Sequence, residues 1–189
     1  MALNVVQYEE ISGLLRQVPR LVDRLEARQS GFVEEVLAWL RKAEAALENN
    51  RLAVVSQLAA CRATLVEAGR GVHSKDVVFV GRATPRKVQE ATASMVLQRG
   101  NELLHGVIAE RQVVFQEAER ISGQVMAVAE AKGLLGDCRD GRPHQQFLQC
   151  AQQKVAGDHD LASVYAHLVA LVGKNDVLVF MDRALAKVT

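Results

Sequence analysis

The residues best suited to do chemistry in this chain are the cations of a short basic stretch. They are Arg70, Lys75, Arg82, Arg86 and Lys87. The last two follow Thr84-Pro85, a pair typical of a helix start, where cations oppose the helix dipole and free N–H groups attract anions. We therefore predict an anion-binding surface here, with nucleic acid as one ligand to test. A solvated loop whose arginines pair with glutamates of neighbouring helices is the competing interpretation.

A di-iron centre, which helical bundles often hold, lacks ligands in this chain. That site needs two Glu-x-x-His motifs and two further glutamates on facing helices. Glu102 and His105 form one such motif, but Glu130 is the last glutamate, so the C-terminal helices cannot supply a second one. We predict an exposed glutamate and a histidine on a helix face.

Asp158, His159 and Asp160 are a second group of metal-ligating residue types. Adjacent residues on a helix do not face the same direction and cannot jointly bind one ion. We expect Asp158 or Asp160 to cap the helix that follows, because aspartate accepts hydrogen bonds from the free amides of a first turn.

The chain has three cysteines, Cys61, Cys138 and Cys150. An odd and sparse count fits a reducing compartment better than a disulfide framework. Cys138, His144 and Cys150 would give a metal three ligands where zinc needs four. Cys61, among alanines and leucines, is expected to be a small buried apolar residue.

Motifs of common enzyme classes do not occur. The chain's one Gly-Lys pair, Gly173-Lys174, lacks the upstream glycine and the Ser or Thr of a P-loop. There is no His-Glu-x-x-His, Cys-x-x-Cys, Gly-x-Ser-x-Gly or dinucleotide-binding motif. We predict a protein that is not an enzyme and has no metal or cofactor.

The composition favours a helical protein. Hydrophobic residues make up 49% of the 189 residues, but aromatic residues only 4%. A core of Leu, Val and Ala suits helices packed side by side. The N-terminus reaches Glu9-Glu10 without the features of a secretory signal, and no run approaches the roughly 18 apolar residues of a membrane span. Together with the cysteines, this predicts a cytoplasmic location.

Apolar residues at alternating spacings of four and three mark a heptad seam near the N-terminus. The seam consists of Ile11, Leu14, Val18, Leu21 and Leu25. It meets Arg28 and resumes near Phe32, and Pro19 should end one helix and open another. We predict a short helix followed by a long one over residues 19–49, and a further helix that ends near Gly69.

The longest helical pattern begins at Thr84-Pro85 and continues to about residue 135. Residues 72–83 before it break the periodicity, and we interpret them as an extended connector. Glycines inside the long segment weaken a helix by up to about 1 kcal/mol each relative to alanine and could mark bends. They are Gly100, Gly106 and Gly123. Shorter helices are predicted over residues 143–156, 158–172 and 175–188.

The sequence thus predicts an all-α fold: a single domain over residues 1–189, forming an elongated, mostly antiparallel helical bundle with coiled-coil-like helices. A helix longer than its partners leaves an apolar stripe, so we expect a homo-oligomer, by default a dimer. The leading functional interpretation is a non-enzymatic interaction protein, such as an adaptor, a chaperone-like protein or an assembly subunit, with an unidentified protein partner. The alternatives are a nucleic-acid or anion-binding accessory protein and an amphipathic surface-coating protein.

Overall fold

The protein is all-α, as the sequence predicts. A computed structural model describes residues 3–72, 84–139 and 143–188. Helices hold 83% of these residues, and none of them lies in a strand. The predicted extended connector over residues 72–83 falls almost entirely outside the described residues.

The helices divide between two compact units. The N-terminal unit, Val6–Ala109, and the C-terminal unit, Met1–Val5 with Glu110–Thr189, share the longest helix, α5. The helices are α1 (Val5–Leu15), α2 (Val18–Glu26), α3 (Phe32–Asn49), α4 (Val55–Gly69), α5 (Pro85–Ala131), α6 (His144–Gly157), α7 (Ala162–Val172) and α8 (Lys174–Val188), with a 3₁₀ turn at Gly136–Cys138. The single domain expected from the sequence stays a prediction.

The predicted helix over residues 19–49 is wrong, because two helices occupy this range. α2 ends at Glu26 and α3 begins at Phe32. Between them Arg28 and Gly31 have positive φ angles of 50° and 87°, a left-handed conformation that a continuous helix does not contain. Arg28 is also where the heptad seam breaks, so the signal for the turn was present in the sequence.

Trp39 is the centre of the N-terminal core. Its side chain is 2% exposed, and its indole N–H donates a hydrogen bond of 2.9 Å to the carbonyl of Leu14. Leu40, Leu47 and Leu58 from α3 and α4 are fully buried. Trp39 is therefore part of the buried core.

α5 is an unbroken helix, but its buried face does not follow one heptad seam. Among apolar residues of α5 at heptad-like spacings, Leu104, Ala118 and Val125 are buried, whereas Val114 is half-buried and Val128 is 43% exposed. A straight helix drifts by about 20° per heptad relative to a seven-residue repeat, so a fixed seam rotates out of the core over several heptads.

The C-terminal unit packs α6, α7 and α8 with the second half of α5. Fully buried side chains from these helices include Met126, Leu168, Val177 and Met181. The backbone N–H of Val5 donates to Asp176 Oδ2 at 3.0 Å, which ties the start of the chain to α8. The three predicted C-terminal helices are therefore present, and no end differs from the prediction by more than four residues.

Among residues 3–72, 84–139 and 143–188, no single helix is long and apolar enough to cross a membrane. α7 and α8 reach that length and composition only when taken together, and they are bent by 115° at the break between them.

Candidate functional site

The structure describes three of the five predicted anion-binding residues. Arg70 follows the last residue of α4, and Arg86 and Lys87 lie in the first turn of α5; all three are exposed. Lys75 and Arg82 lie outside the described residues. The end of α4 and the start of α5 are adjacent.

These two helix ends are adjacent because Gly69, at the end of α4, lies close to α5. A Cβ at Gly69 would lie 3.4 Å from Gln89 Nε2. Arg70, Arg86 and Lys87 are therefore on neighbouring helix ends of the N-terminal unit. Thr84 caps α5, because its hydroxyl oxygen accepts a 3.3 Å hydrogen bond from the N–H of Lys87.

Arg86 is compensated within its own helix. Its Nε donates a 2.8 Å hydrogen bond to Glu90 Oε1, and this bond raises the pKa of Arg86. Glu90, one turn later on α5, thus offsets the unfavourable interaction of Arg86 with the helix dipole. Within the described part of the chain, Arg70 and Lys87 form no ion pair, so they are the cations most available to an anion.

A second candidate site is a groove between α5 and α8 in the C-terminal unit, which we call the α5–α8 groove. Its volume is about 360 Å³. It is lined by Glu119, Arg120, Gly123, Gln124, Ala127, Phe180, Arg183, Ala184 and Lys187. A Cβ at Gly123 would have no other atom within 4 Å, so the groove is open above this residue.

Aromatic and cationic side chains fix the floor of the α5–α8 groove. The rings of Phe115 and Phe180 lie 5.5 Å apart at an interplanar angle of 49°. The guanidinium of Arg111 lies 5.6 Å from the Phe115 ring centre, and that of Arg183 lies 5.6 Å from the Phe180 ring centre. Such contacts stabilise aromatic pairs and hold the arginine stems in place. Phe180 is therefore a buried, rigid part of the floor.

The rim of the groove carries more positive than negative charge. Arg183 pairs with Glu119 across the groove at 3.5 Å. Arg120 pairs with Glu117 on its own helix at 2.6 Å, which raises the pKa of Arg120 and lowers that of Glu117. Lys187 forms no ion pair among the described residues. The rim thus favours a partner with negative charge beside its apolar residues.

The predicted cap of α7 by Asp158 or Asp160 is wrong, because the N-cap position is Leu161 and no side chain caps the first turn. Asp158 instead stabilises the turn before the helix. Its Oδ1 accepts hydrogen bonds from the backbone N–H groups of Asp160 and Leu161, in the turn before α7. Lys132 donates to Asp158 at 2.7 Å and to Asp160 at 2.6 Å. These bonds raise the pKa of Lys132 and lower the pKa values of both carboxyl groups.

Glu102 and His105 are exposed on α5, as predicted, and Glu102 accepts a hydrogen bond from Gln98. Within the part of the chain that the structure describes, no three His, Cys, Asp or Glu side chains converge as metal ligands would.

Two of the cysteines differ from the expectation of free thiols. Cys138 and Cys150 form a disulfide, while Cys61 is free and half-buried. His144, the third residue of the suggested metal group, instead places Nε2 2.7 Å from Asp182 Oδ1. Desolvation by burial raises the pKa of the Cys61 thiol.

Sequence reasoning missed the α5–α8 groove. The signal was present on α8, where Phe180, Arg183, Ala184 and Lys187 are spaced as one helix face. A mixed apolar and basic face looks like an ordinary half-exposed helix until its neighbour is known.

Comparisons with known proteins leave that description unchanged. No protein-family model, curated protein or solved structure matches the chain.

Proposed function

We propose that this chain is a non-enzymatic interaction protein, an adaptor or assembly subunit that holds a helical segment of a protein partner in the α5–α8 groove. The observation that carries the proposal is the combination of an aromatic floor, small residues and a charged rim. Phe180 supplies the apolar floor, and Gly123 and Ala127 leave room for another backbone to approach. Grooves of this kind bind the apolar face of an amphipathic helix.

The geometry favours a partner helix that is acidic at the edges of its apolar stripe. A volume of about 360 Å³ suits a few anchoring side chains rather than a whole helix. Those anchors would recur at i, i+3 or i+4, and i+7 on the partner. Carboxylates beside them would face Arg120, Arg183 and Lys187.

Selection of helical peptides from a display library tests the proposal. We expect the selected peptides to combine an apolar stripe with flanking Asp or Glu. Binding should be lost in Ala127→Trp, which fills the groove from an exposed position, and kept in Ala166→Trp, a matched change on an exposed alanine of α7. Peptides that bind both variants equally well, or selections that yield no helical binder, would contradict the proposal.

We also propose that the protein self-associates and acts in the cytoplasm. Two exposed valines on α5, Val113 and Val128, support self-association, since exposed apolar residues on long helices favour helix partners. A disulfide is compatible with a reducing compartment when it opens and closes reversibly.

Anion binding at the basic stretch is a second proposal. It is supported by the adjacent helix ends that carry Arg70 and Lys87, both exposed. The ion pair between Arg86 and Glu90 weakens this second proposal, because Arg86 already has an anionic partner. A fluorescence-anisotropy titration with short DNA and RNA tests it, and binding that falls steeply with salt is the expected result.

A further inference from the structure

The two cysteines of the disulfide differ in access. Cys138, in the 3₁₀ turn, is fully buried, whereas Cys150, in α6, is half-buried. Cys150 also lines a cavity of about 500 Å³ in the C-terminal unit. The other lining residues are Leu134, Gln153, Lys154, Gly157 and Asp158. A molecule in this cavity would therefore meet the sulfur of Cys150 before that of Cys138.

The walls of the cavity carry one group of each charge. Lys154 lies one turn after Cys150 on α6, and its ammonium is 3.0 Å from Asp137 Oδ2. Asp158 supplies the negative charge and forms an ion pair with Lys132. Cavities of about 300 to 1,000 Å³ bind small molecules, and this one could hold a short peptide with both a carboxylate and an ammonium group.

We propose that Cys150 is a thiol-exchange site for a low-molecular-weight peptide thiol. The thiolate of that molecule attacks Sγ of Cys150, and a mixed disulfide forms as the bond between Cys138 and Cys150 breaks. Sγ of Cys138 leaves with the bonding electron pair and takes a proton from water. One disulfide replaces another, so no further oxidant or reductant is required.

The mixed disulfide at Cys150 can convert back to the disulfide between Cys138 and Cys150. In the reverse step the Cys138 thiol loses its proton, its Sγ attacks Sγ of Cys150, and the peptide thiolate leaves. Burial disfavours the Cys138 thiolate, so exchange through Cys138 is expected to be slow in both directions. The ion pair between Asp137 and Lys154 is a second, solvent-exposed contact between the 3₁₀ turn and α6. The cavity shares no residue with the α5–α8 groove, so this inference stands apart from the proposed function.

Trapping the mixed disulfide tests which sulfur is attacked. The Cys61→Ser protein, with its disulfide intact, is exposed to reduced glutathione, quenched with iodoacetamide and mapped by peptide mass spectrometry. We expect the glutathionyl group on Cys150 and the alkyl group on Cys138. Glutathionylation of Cys138 as often as of Cys150, or no opening of the disulfide, would overturn the inference.

Single-cysteine variants test access independently. In the Cys61→Ser background, Cys138→Ser leaves Cys150 as the free thiol, and Cys150→Ser leaves Cys138. We expect Cys150 to react with Ellman's reagent at least about tenfold faster than Cys138 in the folded proteins. Equal rates there would contradict the inference; equal rates in denaturant are the expected control, because unfolding removes the difference in burial.

A comparison of two thiols tests whether the cavity prefers a peptide thiol. Opening of the disulfide by glutathione is compared with opening by neutral 2-mercaptoethanol at matched thiolate concentrations. A several-fold faster reaction with glutathione is expected if the charged walls bind it, and equal rates would refute the assignment of a peptide thiol.

Discussion

Gly100 of α5 packs closely against the indole ring of Trp39. A Cβ at position 100 would approach Trp39 Cζ3 to 2.8 Å, and it would also lie 3.3 Å from Leu58 Cδ2. Both neighbours are buried, and the hydrogen bond from the indole to Leu14 holds the ring in place. The glycine that the sequence marks as a weak point of the long helix is therefore a packing requirement of the N-terminal core.

Gly100→Ala should destabilise the protein. Alanine has a higher helix propensity by about 1 kcal/mol. Overpacking a core typically costs about 1 to 3 kcal/mol, and the fixed indole cannot move aside easily. Chemical denaturation should give a lower free energy of unfolding for Gly100→Ala. Gly106→Ala is the matched control, since nothing lies within 4 Å of its Cβ position, and it should be neutral or stabilising. The same sign for both variants would contradict this packing.

The charge of Asp158 should stabilise the protein at neutral pH and not in acid. Its pKa is lowered first by the hydrogen bond from Lys132 and also by its backbone hydrogen bonds. Because the folded chain binds that proton less readily than the unfolded chain, the stabilisation is complete above the unfolded pKa of about 3.9 and is lost as the pH falls through the folded value.

Melting temperatures of the parent and Asp158→Asn measure this effect. The parent should melt at a higher temperature than Asp158→Asn at neutral pH. This difference in melting temperature should vanish in acid, where the aspartate is protonated and, like asparagine, uncharged. Lys132→Gln should reproduce the loss at neutral pH. A difference that persists unchanged in acid would show that the charge is not its cause.

The protein should form a homo-oligomer through the exposed face of α5. Val113 is 68% exposed and Val128 is 43% exposed on this helix. Val113→Lys with Val128→Lys should shift the light-scattering mass toward the monomer, whereas Val164→Lys, on an exposed valine of α7, should not. A parent protein of monomer mass at every micromolar concentration would refute self-association.

Lys87→Glu should leave the fold intact and weaken any anion binding. Lys87 lies in the first turn of α5, where an acid interacts favourably with the helix dipole. Arg86→Glu differs, because it would face Glu90 one turn later and should be the less stable of the two variants. Thermal melts and anisotropy titrations of both variants check this order, and the reverse order of stability would contradict it.

Helix type was predictable from the sequence because periodicity and end signals are local. Thr84-Pro85 marks the start of α5, and the residues before Gly133 mark its end. The sequence does not predict the end of α2 at Glu26, although the heptad seam is interrupted at Arg28, because the apolar spacing resumes near Phe32 and the positive φ angles of Arg28 and Gly31 are not visible in the sequence. The groove depends on the contact of α5 with α8, which are distant in the sequence, and no local pattern reveals it. The disulfide joins residues only 12 apart, but pairing depends on how the 3₁₀ turn packs on α6.

Site-specific photo-crosslinking from position 127 tests the central claim, that the α5–α8 groove holds a helix of a protein partner. A photoreactive amino acid replaces Ala127 in one protein and Ala166 in another, and both are irradiated in cells that naturally make this protein. We predict a covalent adduct from position 127, attached to an acidic amphipathic helix, and none of the same adduct from position 166. No adduct at position 127, or identical adducts from both positions, would contradict the account.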